Sequence, residues 1–74
     1  MPKLPRVSGA QTIRALGKLR FFQVRQRGSH VVLRNQDGRG CVVPLHRELK
    51  LGTLAGILRQ AGVSSEEFIA GLEA

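Results

Sequence analysis

No aspartate or glutamate occurs in the first 36 residues of this 74-residue chain. The same stretch carries Lys3, Arg6, Arg14, Lys18, Arg20, Arg25, Arg27 and Arg34. The remainder is near balance: Arg39, Arg47, Lys50 and Arg59 against Asp37, Glu48, Glu66, Glu67 and Glu73. The net charge of +7 is therefore segregated, which predicts a polyanion-binding face on the N-terminal two-thirds. Nine of the cations are arginine and three are lysine, and arginine grips phosphate in a bidentate manner. Cysteine is nearly absent: Cys41 stands alone, which excludes a disulfide framework. His30, His46 and Cys41 lack zinc-ligand spacing, so neither a metal nor another cofactor is expected. The apolar runs reach only about five residues, far below the roughly 20 that a spanning helix needs. The start, Met1-Pro2-Lys3-Leu4-Pro5, has no apolar core of a secretion signal. No membrane association is expected, and the cytoplasm is the expected compartment. Repeats and low-complexity segments are absent. A chain this short predicts a single domain over residues 1–74. Its small core gives a thin margin of stability, so a covering partner would matter.

What is present reads in order. Pro2 and Pro5 keep the start extended. Ser8-Gly9-Ala10-Gln11 is a capping box, and Ile13, Leu16 and Leu19 recur at helical spacing, predicting a helix over about 9–19. Gly17 weakens its last turn by roughly 1 kcal/mol against alanine. The period then switches to two. Phe22 and Val24 share one face of a strand, and Phe21, Gln23, Arg25 and Arg27 the other. After a turn at Gly28, Val31 and Leu33 point one way and His30, Val32 and Arg34 the other. Val31 and Leu33 are expected to join Phe22 and Val24 beneath the helix, leaving His30 with Arg34 on the open side. Among the three phenylalanines, Phe22 and Phe68 read as core and Phe21 as a ring able to stack on a base. Asp37-Gly38 is a strong hairpin signal, and Cys41-Val42-Val43, ended by Pro44, is the returning strand. His46 to Lys50 form a polar connection.

Gly52-Thr53 opens a second helix whose Leu54, Ile57, Leu58 and Ala61 make an apolar stripe. Gly62 occupies the position of a left-handed C-cap. Ser64-Ser65-Glu66-Glu67 is another capping box, leading into a short third helix with Phe68, Ile69 and Leu72 on its apolar face. Glu66 and Glu67 suit a helix's first turn, where negative charge is favoured. The expected architecture is α+β: a two-layer α-β-β-β-α sandwich, three antiparallel strands with the helices on one face, and a short C-terminal third helix.

The chemical centre is Arg27-Gly28-Ser29-His30. Histidine exchanges protons near neutral pH, and Arg25 and Arg27 could hold a phosphate beside it. Ser29 could bind phosphate or orient His30. It is a poor nucleophile for a histidine base, because sequence neighbours on a strand point to opposite faces. Cleavage of RNA by its own 2′-hydroxyl needs a base, an acid for the leaving 5′-oxygen and cations for the phosphorane. His30 could serve as base or acid, and Arg25, Arg27 or Arg34 as cations. His46 is the other histidine and a candidate for the second proton-transfer group.

Three blocks resemble the HicA toxins of type II toxin–antitoxin pairs: Arg25-Gln26-Arg27-Gly28-Ser29-His30, Val43-Pro44-Leu45-His46, and Gly52-Thr53-Leu54 with Ile57-Leu58-Arg59-Gln60-Ala61-Gly62. The resemblance covers about residues 8–72. It implies a compact fold like that of double-stranded-RNA-binding domains, metal-independent cleavage of mRNA, and a HicB-like antitoxin that covers the active site. The family's catalytic histidine falls on His30. The family usually has glycine before the phenylalanine that opens the first strand, where this chain has Arg20. Two other readings lack catalysis. One is a double-stranded-RNA-binding module in which His30 and the arginines only hold the backbone. The other is an interaction domain whose basic face meets an acidic partner.

Overall fold

The computed structural model describes residues 3–74, so the extended reading of Pro2 lies outside the described residues. The element order is α1 (Gly9–Lys18), β1 (Phe22–Arg27), β2 (His30–Arg34), β3 (Gly40–Pro44), α2 (Leu51–Ala61) and α3 (Ser65–Glu73). The strands form one antiparallel sheet in the order β1-β2-β3. Val31 and Leu33 of β2 and Cys41 and Val43 of β3 are buried on the same face. Leu16, Leu54, Leu58 and Phe68 close over that face from the helices, giving the expected α+β two-layer arrangement. Leu49, read as part of a polar connection, belongs to this core, with its N–H donated to the Val7 carbonyl at 2.8 Å.

Local chemistry sets the helix ends. Both serine capping boxes form, Ser8 with Gln11 and Ser64 with Glu67. The Glu67 carboxyl is held below its usual range, first by the Ser64 backbone N–H and then by its hydroxyl. α2 starts one residue before Gly52, after Lys50, with no side-chain cap. It ends at Gly62, which is left-handed (φ 72°) as expected. There the Arg39 guanidinium donates to the Arg59 and Gln60 carbonyls, placing a cation at the negative end of the helix dipole.

The two phenylalanines at the start of β1 are exchanged relative to the sequence expectation: Phe21 is 6% exposed and Phe22 50%. The reason is the end of α1. Leu19 caps the helix and Arg20 turns left-handed, with φ 73°. The N–H of Arg20 then reaches the Gly17 carbonyl, and that of Phe21 the Leu16 carbonyl. This is a Schellman motif, whose last residue packs back on the helix's final turn. Phe21 is thus pinned into the core, and alternation puts Phe22 on the other side.

Val24 is displaced for a different reason. Gln23 pairs with Leu33 and Arg25 with Val32, so Val24 is an extra residue in a β-bulge. On either side of the bulge the residues sharing the core-side face are Gln23 and Gln26, not apolar ones. Every residue of β1 is exposed. The helix layer covers β2 and β3, and β1 extends past it.

Candidate functional site

The uncovered face of the sheet is built in three rows by the strand register. Arg27, His30 and Pro44 lie opposite one another in the first, Arg25, Val32 and Val42 in the second, and Phe22, Arg34 and Gly40 in the third. Directly opposed residues share a face. His30, Arg25, Arg27, Arg34 and Phe22 are all exposed there. Successive rows are about 7 Å apart at two strand residues per row.

His30 begins β2 because a two-residue turn precedes it. Arg27 pairs with His30 across Gly28-Ser29. Gly28 has φ 54° and Ser29 does not have a positive φ, the pattern of a type II′ hairpin, which favours glycine first. Gln26 Nε2 donates to the Gly28 carbonyl at 2.9 Å, and Gln23 Nε2 donates to the Gln26 amide oxygen. Two glutamines therefore brace the loop from β1. On the far side the Ser29 carbonyl accepts the Leu45 N–H at 2.7 Å, tying the turn to the residue after β3.

That tie also locates His46. It directly follows Leu45, and its carbonyl accepts the Gly9 N–H at 2.9 Å. Gly9 is a close-approach position, because a Cβ there would collide with the Pro44 carbonyl oxygen. Both histidines thus stand at the same end of the sheet, one on β2 and one between β3 and the start of α1. Among the described residues neither imidazole makes a side-chain hydrogen bond.

The structure brings Arg27, Gly28 and Ser29 to the His30 end, with Arg25 one row away. Arg34 shares the face but lies at its opposite end, four residues and about 13 Å along the strand from His30. Cys41 faces the core, where burial pushes its thiol up to about 11. It does not converge with the two histidines, and no group of three metal-ligating side chains forms among the described residues.

Charge on the open face is uncompensated. Among the described residues the one ion pair is Arg6 with Glu48, at 2.9 Å, and none of the open face's arginines is paired. The acidic side chains of α3 occupy its first turn and last residue, Glu66, Glu67 and Glu73. A phosphate chain laid across the three rows would meet arginine in each and a proton carrier in the first. No described helix is long and apolar enough to cross a membrane.

Sequence reasoning missed Phe22 on this face. The signal was available: Leu16 and Phe21 stand five apart around a helix end, the spacing of the Schellman contact. The family model described as the HicA toxin of bacterial toxin–antitoxin matches residues 9–63. No curated protein matches the chain.

Proposed function

Because the chain belongs to the HicA family of toxins from bacterial toxin–antitoxin pairs, we propose that it is a metal-independent endoribonuclease that cuts mRNA on the open face of its sheet. The observation that carries this reading is the first row: an exposed histidine directly opposite an arginine, beside a glycine turn, in a sheet whose three strands contain no carboxylate. Residues 1–74 act in this reading as one RNA-binding and ribonuclease domain, working in the cytoplasm.

The reaction needs little from the protein. His30 takes the proton of the ribose 2′-hydroxyl as its oxygen attacks the adjacent phosphorus. The P–O5′ bond breaks, leaving a 2′,3′-cyclic phosphate on one fragment and, after protonation, a 5′-hydroxyl on the other. Arg27 and Arg25 stabilise the added negative charge of the phosphorane. Arg34 holds the backbone farther along the strand. The turn at Gly28 leaves room for close approach of a phosphate, and the Ser29 hydroxyl is a donor toward it. His46, at the same end of the sheet, supplies the proton to the leaving oxygen.

A toxin of such a pair has an antitoxin partner. We assign it to a HicB-like protein that lays acidic groups on the open face and covers His30, since among the described residues the arginines there make no ion pair.

The test is His30→Ala, assayed for thermal stability, RNA affinity and cleavage on one preparation. His30 is exposed on the helix-free face, so the fold and the phosphate contacts should survive. Cleavage should fall by about 10²-fold or more, the size of a lost general acid–base group. Undiminished cleavage would remove His30 from the mechanism. RNA binding by the wild type without any cleavage would leave a binding module only.

A further inference from the structure

We propose a nucleobase-binding site at the end of the open face remote from His30, formed by Phe22, Arg20 and Gln36. Its ligand is one base of a single-stranded RNA. The proposal rests on the ribonuclease reading and adds to it where the bases, rather than the phosphates, are held.

These residues come from three different segments. Phe22 opens β1, Arg20 follows α1, and Gln36 lies in the β2–β3 turn. Together with Gly17 and Phe21 they line an open cavity of about 370 Å³, roomy for a planar base. Each brings a different interaction. The Phe22 ring is half exposed and offers a stacking surface to any base. The Arg20 guanidinium can stack on the other side of a base or hold its phosphate. The Gln36 amide offers a donor and an acceptor for a base edge.

Two features meet at this cavity. A large aromatic ring left half in water contributes little to the core. Arg20 occupies a left-handed conformation (φ 73°), which a non-glycine residue enters at a cost. The turn that ends α1 calls for a left-handed residue there, which glycine would supply without that cost; an arginine standing in its place points to a use for the guanidinium. Here both features line the same cavity, with Arg34 in the Phe22 row and Arg25 in the row between Phe22 and His30. The row of Phe22 is about 13 Å from that of His30. A base held there therefore belongs to a nucleotide other than the one whose phosphate meets the histidine. The cavity would read a base flanking the cut.

The absence of tryptophan and tyrosine supplies the assay. Phe22→Trp introduces a sole tryptophan into the stacking position. The probes are a six-nucleotide 2′-O-methyl oligoribonucleotide, which lacks the attacking hydroxyl, and an abasic backbone of the same length. Tryptophan emission should be quenched by the first and unchanged by the second. Phe22→Ala should bind the base-bearing oligomer about tenfold more weakly and the abasic one as the wild type does. Gln36→Ala, which keeps the ring, should flatten any preference among oligomers differing in one base. Equal affinities of wild type and Phe22→Ala for the base-bearing oligomer overturn the base site while leaving charge-driven RNA binding in place. Failure of the wild type to bind either oligomer overturns the RNA reading and this site with it.

Discussion

Arg20 is the residue at which local physics and the rest of the chain disagree. Its left-handed backbone closes the end of α1 and sends Phe21 into the core, a task that glycine performs without strain. Arg20→Gly should therefore raise stability by about 1 kcal/mol, seen as a melting temperature about 4–8 °C higher. If Arg20 also holds a base, the same variant binds RNA less tightly, so stability and affinity move in opposite directions. Cys41 makes a second residue-scale case. Burial raises its thiol from 9.0 to about 11, so the folded protein keeps the proton where the unfolded chain releases it. The fold is favoured fully below pH 9.0 and loses this contribution as pH rises from there through about 11. Alkylation by iodoacetamide at pH 8 should accordingly be slow in the native protein and fast in denaturant.

At the scale of elements, α1 carries two glycines with opposite consequences. At Gly17 nothing lies within 4 Å of the place a methyl group would take, so Gly17→Ala should stabilise the helix by about 1 kcal/mol. Gly9 meets the Pro44 carbonyl, and Gly9→Ala should cost about 1–3 kcal/mol as the backbone is forced apart. Thermal denaturation of both variants gives the two signs directly. The helices are the most legible part of the chain. Ser8 and Ser64 cap as their capping-box spacing demands, and Leu54, Ile57, Leu58 and Ala61 are all buried. β2 is legible for a similar reason: burial alternates cleanly from His30 to Arg34, which puts His30 on the open face. β1 is not. Period-two reasoning assigns Phe22 and Val24 to the core because both are apolar. Alternation alone does not show that a left-handed Arg20 turns Phe21 inward, which only the five-residue spacing of Leu16 and Phe21 around the helix end signals, or that a bulge adds Val24 to the ladder. The bulge is a backbone event set by the pairing of β1 with β2, and hydrophobic pattern does not encode it.

For the whole molecule, charge segregation becomes geometry. The arginines of β1 and β2 lie on a face that the helices leave uncovered, so binding to single-stranded RNA should be dominated by phosphate. Three such contacts give a slope of about −2 in a plot of log affinity against log salt. Replacing Arg25, Arg27 or Arg34 by alanine should reduce its magnitude by about 0.7 each. A salt-independent affinity would contradict this. The bulge at Val24 has a further consequence, one for the company the molecule keeps. β1 lies at the margin of the sheet, exposed along its whole length, and a flat strand in that position is a template on which further chains can polymerise. The inserted residue breaks the regular spacing of backbone donors and acceptors and increases the local twist. A neighbouring copy offering a straight strand finds no continuous partner there. The irregularity that hid β1 from pattern reading thus protects a small, sparsely covered sheet from fibrous self-association.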